Sequence, residues 1–423
     1  MKLRPILVLA ACVFPASVLQ ARGDGPLPAF QDVMQQPSGN GGLCSPIYQY
    51  GNDAAACDMG QCGACGGRFW GSAEFLLWWM KGKSLPPLVT TSPPGTSQTQ
   101  AGVLGQPGTV VLFGNSVVNG GMRPGGRFTL GYWFDDCQHC GVEADFFILG
   151  SLVSRFNASS DGNPILARPF FDPTTGQQSS ELIAFPGLST GSVNASATST
   201  GLLGADALLR CNLCCQCNSR LDVVGGFRYL RIADHVEVTE NLVSTSFANF
   251  IPPGTTLTVV DRFDTSNNFY GLDVGLRGEY RIGSWVLAGR ADVAVGDNHE
   301  VLDVNGSTTV SVPGAPPPVT SAGGLLALQS NIGNRVRDRV VVIPEFDLRL
   351  GYQITPRLQV FAGYTFIYWG KVLRAGNQID LNVNPNLLPP VVTPITGPLQ
   401  PAPKFDQTSL WIQGIDLGLE FRF

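Results

Sequence analysis

The feature that most constrains this chain is a two-residue alternation that separates apolar from charged side chains. From Tyr270 to Ile282, one set reads Tyr270, Leu272, Val274, Leu276, Gly278, Tyr280, Ile282, and the other reads Gly271, Asp273, Gly275, Arg277, Glu279, Arg281. Successive side chains of a strand point to opposite faces, so this segment predicts a strand with one wholly apolar face. The last strand repeats the pattern, with Trp411, Ile415, Leu417, Leu419, Phe421 and Phe423 against Gly414, Asp416, Gly418, Glu420 and Arg422; Ile412 and Gln413 break it. A third example sets Val340, Val342, Phe346, Leu348, Leu350 and Tyr352 against Glu345, Asp347 and Arg349, with Pro344 as a misfit that implies a bulge or kink.

Composition excludes the competing classes. The 423 residues include 51 Gly and 31 Pro, only 14% are charged and 44% are hydrophobic. Disordered chains combine low hydrophobicity with high charge, and helical bundles do not carry this much Gly and Pro. The one sizeable apolar run, Ile6 to Phe14, is too short for a membrane-spanning helix. A net charge of -5 predicts no nucleic-acid partner.

The connections then select an architecture. About ten strands are predicted, near 68–81, 125–134, 141–155, 192–210, 220–232, 268–282, 285–297, 339–352, 358–370 and 408–423, and twelve is possible. Short turns follow the second, fourth, sixth and eighth strands; long polar loops at 82–124, 156–191, 233–267, 298–338 and 371–407 separate the rest. This alternation predicts an all-β fold, a transmembrane up-and-down antiparallel β-barrel with its turns in the periplasm and its loops outside. A sandwich has no reason to sort its connections so. Tyr270 and Tyr280 lie roughly 25 Å apart along a tilted barrel axis, about the height of the lipid-facing band. They predict two aromatic girdles, with Trp285, Tyr364, Tyr368, Trp369 and Trp411 as further candidates.

At the N-terminus, Lys2 and Arg4 precede the apolar run, the layout of a secretory signal. The expected divisions are a signal peptide over 1–21, a Cys/Gly-rich periplasmic extension over 22–66, and the barrel over 67–423. A lipoprotein-type site at Cys12 is the alternative processing point. The location expected is the outer membrane, with its lipid as one partner; the closing strand ending in Phe423 is expected to engage the barrel-insertion machinery.

Four stretches carry a resemblance. Phe69-Trp70-Gly71-Ser72-Ala73-Glu74-Phe75-Leu76-Leu77-Trp78-Trp79, Gly126-Arg127-Phe128-Thr129-Leu130-Gly131-Tyr132-Trp133, Arg220-Leu221-Asp222-Val223-Val224-Gly225-Gly226-Phe227-Arg228-Tyr229-Leu230 and the closing strand resemble the planctomycete-type β-barrel porin family over about 67–423. The resemblance implies a porin-like barrel and carries over no catalytic residue.

Ten cysteines besides Cys12 fall outside the predicted strands, at the turn end: Cys44, Cys57, Cys62, Cys65, Cys137, Cys140, Cys211, Cys214, Cys215 and Cys217. An even number in an oxidising compartment points to disulfides, while the Cys-x-x-Cys pairs with His139 leave Zn2+ ligation open. The charges expected to line the lumen are Asp273, Arg277, Glu279, Arg281, Arg290, Asp292, Glu345, Asp347, Arg349, Asp416, Glu420 and Arg422, with both signs interleaved. A ten-stranded barrel is narrow, so these predict paired charges rather than a wide pore. The function expected is porin-like, either narrow passage of small solutes or a structural membrane role, with no enzyme activity and no cofactor. The alternatives are a secreted soluble β-rich surface or adhesion protein and an omptin-like barrel hydrolase. For the hydrolase, Asp297 and Glu300 beside His299, and Asp234 beside His235, are the candidate His-carboxylate groups, without a matching acidic pair.

Overall fold

The computed structural model describes residues 67–215, 218–247, 251–391 and 393–423. Ten strands form the barrel: β1 (Phe69–Met80), β2 (Met122–Trp133), β3 (Cys140–Leu149), β4 (Leu203–Cys215), β5 (Ser219–Ser244), β6 (Thr256–Ile282), β7 (Trp285–Ser311), β8 (Gly333–Gln353), β9 (Leu358–Leu373) and β10 (Gln407–Arg422). Each pairs antiparallel with its chain neighbours, and β1 pairs with β10 to close the ring. The short connections gather at one end with residues 67–68 and Phe423, because Phe423 N donates to Phe69 O. Cys211, Cys214 and Cys215 lie inside β4 and Cys140 begins β3, so the expectation that no cysteine lies in a strand fails for these four.

Three expected loop boundaries are wrong for one reason. The strands β5, β6 and β7 run for 26, 27 and 27 residues, far past the segments predicted to be loops. At about 3.3 Å per residue they are two to three times longer than a lipid-spanning strand needs. The side-chain pattern inverts along them. Below the row of Tyr270 the outward residues are apolar, Leu272 being 71% exposed; above it they become Asn268, Ser266, Asp264 and Arg262. On the inner face Asp273 gives way to Phe269, Phe263 and Val259. Alternation persists while its phase switches, because the outer solvent changes from hydrocarbon to water.

The expected strands 141–155 and 192–210 are each broken in two. Strands at Leu152–Ser160 and Ser189–Ser199 leave the barrel wall, and Ser189–Ser199 pairs with the upper half of β5. Arg123 occupies the branch point. Its guanidinium donates to the carbonyls of Gly150, Ser199, Thr200 and Asn119, groups the interrupted ladders would otherwise leave unpaired.

The long connections fold into a cap. Leu88, Phe113, Phe170, Ile183, Leu326 and Val383, each from one of these connections, form one core with the inner faces of upper β5 to β7. The long connections, expected as polar loops, therefore contribute a second apolar core. Asp261 on β6 anchors the cap by accepting the backbone N–H groups of Leu326 at 3.0 Å and Ala327 at 2.7 Å. A side chain at Gly324 would lie 2.3 Å from the Asp261 carboxylate, so the approach requires glycine.

Pro344 makes no bulge in the β7–β8 register. It sits one residue above Glu345, where the β8–β9 ladder ends, so its missing N–H falls at the limit of that pairing. Ile412 is buried and turned inward, while Gln413 faces outward and receives the Tyr364 hydroxyl at 2.8 Å.

Candidate functional site

The barrel interior holds the candidate site, and three layers fill it. The middle layer is ionic. Arg228 of β5 contacts Asp206 of β4 at 2.8 Å, Asp273 of β6 at 2.8 Å and Glu345 of β8 at 2.9 Å. Arg290 of β7 binds Asp292 and, at 2.9 Å, Asp206; Arg277 binds Asp292 as well. Arg127 of β2 reaches Glu345 at 3.2 Å, and its guanidinium lies 5.1 Å from the ring centroids of both Trp78 and Phe147. Arg349 joins Glu74 at 3.0 Å and Asp347 at 2.7 Å, while Thr365 donates to Asp347 and Asp416.

These contacts cross the lumen. Glu345 receives β2 from one side and β5 from another, so guanidinium and carboxylate groups occupy the space through which a solute would pass. Charges confined away from water persist when paired, and every guanidinium of this layer meets at least one carboxylate.

Nearer the turn end lies a wetter ring. Arg210 joins Glu143 at 3.1 Å and Asp222 at 2.7 Å, and Arg422 joins Glu279 at 3.3 Å and Glu420 at 2.6 Å. Arg281, also paired with Glu279, has 43% of its side chain exposed, which marks the entry of water.

The layer toward the cap is apolar. Trp78, Phe147, Leu230, Phe269, Trp369 and Ile412 come from β1, β3, β5, β6, β9 and β10 and form one buried cluster across the ring. Trp369 was expected in an aromatic girdle and is instead fully buried here. The outward girdle positions are held by Tyr229 and Tyr270, 5.1 Å apart at the cap side, and by Trp285 and Tyr352, 5.1 Å apart at the turn side. Above the apolar layer, Asp234 is bound by Arg374 and lies 3.8 Å from Lys83. Burial, opposed by Asp234, lowers the Lys83 pKa to about 8.

Of the charges expected in the lumen, Asp273, Arg277, Arg290, Asp292, Glu345, Asp347 and Asp416 are buried, and Glu279, Arg281, Arg349, Glu420 and Arg422 are part-buried. Sequence reading did not select Glu74, Arg127, Glu143, Asp145, Asp206 and Arg228, which complete the layer. Their signal was present as alternation in β1 to β5, where Gly and short polar residues dilute it.

The structure turns Asp234 away from His235 and Glu300 away from His299, while Asp297, two residues before His299, stays on its face. Asp234 faces inward to Arg374, whereas His235 faces outward and bonds Asp264 of β6 at 2.5 Å. Glu300 turns inward to Arg337, and His299 bonds Asp338 of β8 at 2.7 Å. Residues adjacent in a strand lie on opposite faces, so each His bonds an acid across the ladder, and His235 also lies 3.6 Å from Glu237 on its own strand. His235 and Asp264 border a surface pocket of about 440 Å3 with Arg262 and Asp303.

Among the cysteines, Cys140 and Cys211 form a disulfide between directly paired positions of β3 and β4, and Cys214 is also disulfide-bonded. Among the described residues Cys137 has no disulfide partner, and its side chain is exposed. Cys44, Cys57, Cys62, Cys65 and Cys217 lie outside the described residues, as do the expected signal peptide over 1–21 and the whole extension over 22–66.

The family described as "Putative beta barrel porin-7 (BBP7)" matches residues 70–423. The chain belongs to this family. Its matched region is the closed ring with its cap, and the protein is an outer-membrane β-barrel. No curated protein sequence matches the chain. Similar solved structures include the outer membrane protease OmpT from Escherichia coli, at 10% identity and a TM-score of 0.37, covering 84% of this chain and 97% of that one. The P. putida toluene transporter TodX matches at 8% identity and a TM-score of 0.18, covering 85% of this chain and 90% of the other. An anion-selective porin from Comamonas acidovorans matches at 8% identity and 0.18, covering 84% and 98%.

Proposed function

We propose that this BBP7 member is a closed, non-catalytic barrel whose role is structural: it anchors a folded cap at the outer surface and passes no solute in the state described. One observation carries the reading. The interior is crossed by the Arg127–Glu345 and Arg228–Glu345 pairs and then by the buried apolar layer around Trp78 and Trp369. An ion moving along the axis would have to displace both. The outward band bounded by the Tyr229–Tyr270 and Trp285–Tyr352 pairs supports residence in lipid rather than secretion as a soluble adhesin. Short turns then face the periplasm and the cap faces outward. Residues 1–21 would direct export, and the strand ending in Phe423 would be read during insertion.

The experiment is conductance. Protein folded in detergent, with an unheated-gel mobility shift to establish barrel formation, is added to planar bilayers. The reading expects no discrete steps from shifted protein. Stable conductance would overturn it and favour narrow solute passage.

A further inference from the structure

The β2–β3 turn at the periplasmic end carries three side chains that the structural role does not use. We propose that Asp135, Cys137 and His139 form a binding site for a thiophilic divalent cation, Zn2+ foremost. Their carboxylate oxygen, thiol sulfur and imidazole nitrogen lie within 4.8 Å of one another. In a tetrahedral zinc site, metal–ligand bonds of about 2.0–2.3 Å place neighbouring ligand atoms roughly 3.3–3.8 Å apart. Exposed side chains on one turn close that difference by small rotations.

The turn is built to bring the three together. Gln138 takes a positive φ of 55°, which folds the chain back between Cys137 and His139. The backbone N–H of His139 is 3.2 Å from the Asp135 carboxylate, and its Nδ1 lies 2.9 Å from Asp135 Oδ1. A carboxylate on one ring nitrogen orients the imidazole and leaves Nε2 for a metal. To act as the third ligand, the Asp135 carboxylate leaves that ring nitrogen and turns to the metal.

The neighbouring groups are already engaged. Cys140 is joined to Cys211, so the Cys137-x-x-Cys140 pair does not supply two sulfurs, contrary to the pairing on which the sequence-based metal alternative rested. Asp136 is held by Arg68 at 2.7 Å. Cys137 has no disulfide partner among the described residues. Sulfur, nitrogen and oxygen from one turn, with water completing the shell, select Zn2+ over Mg2+ or Ca2+, which prefer all-oxygen sites. Binding forms a sulfur–metal bond and releases the thiol proton to water, with no change of oxidation state.

The test is Co2+ titration of the full-length, unreduced protein folded in detergent. One Co2+ per chain is expected, with a thiolate-to-cobalt charge-transfer band that Zn2+ abolishes. Cys137→Ser should eliminate the band and His139→Gln should weaken binding about 10- to 100-fold. His235→Gln should leave it unchanged. All variants should keep the unheated-gel shift, since the turn is exposed. The proposal is overturned by no band in shifted wild-type protein, by a band that survives Cys137→Ser, or by peptide mapping that finds Cys137 in a disulfide.

Discussion

Arg127 on β2 donates to Glu345 on β8 at 3.2 Å, and the two buried side chains span the barrel from wall to wall. Glu345 also holds Arg228 at 2.9 Å and lies 3.6 Å from Arg290 of β7, so one carboxylate ties four staves. Glu345→Ala would leave three guanidinium groups, those of Arg127, Arg228 and Arg290, without their shared partner. The expected loss is about 3–5 kcal/mol of folding stability, read by urea unfolding in micelles or liposomes. Conductance should remain absent, because the Trp78 and Trp369 layer is untouched; a variant that conducts would show that the ion pairs, and not the apolar layer, hold the lumen shut.

The phase inversion along β6 gives a depth-dependent test. Leu272→Arg places a charge on the lipid-facing band and should cost about 2–4 kcal/mol. Arg262→Leu, ten residues along the same face but above the Tyr270 row, should change stability by about 0.5 kcal/mol or less. Equal costs at the two sites would place the membrane boundary elsewhere.

Glu240 in the cap core faces Glu181 beside Arg168, whose guanidinium is 3.5 Å from Glu240. Burial, and then the Glu181 charge, raise its pKa well above the ordinary 4.5. With the folded pKa above the unfolded one, the stabilisation is complete below about pH 4.5 and declines as pH rises through the folded value. Glu240→Gln should flatten this part of the pH–stability profile and stabilise the cap at neutral pH. Unchanged pH dependence in unfolding experiments between acid and neutral pH would contradict the assignment.

The Cys140–Cys211 bond closes a segment of 71 residues that includes the whole excursion into the cap. Replacing both cysteines with alanine should lower stability by about 2–4 kcal/mol in unreduced protein. Reductant added to wild type should cost at least as much, because it also opens the Cys214 bond, and the double variant should lose only that remainder on reduction.

The sequence by itself determined the closed-barrel class. Strict alternation in β6, β8 and β10 needs no distant contact to be seen, because strand periodicity is a local property, and Tyr270 and Tyr280 already set the scale of the apolar band. The ordering of short and long connections likewise required only counting along the chain. Tertiary structure decided what lay above that band. Segments such as 233–244 and 256–267 look like loops when an apolar outer face is the criterion, since their apolar residues, Val236 and Phe263 among them, have turned inward to meet the cap. It also decided the partners of each charge. Which carboxylate meets Arg127, or which acid meets His235, depends on register between strands hundreds or tens of residues apart, and a one-residue change in register would exchange the faces. The closed interior belongs to this second class: alternation shows that charges face inward, and only their positions across the ring show that they meet in the middle.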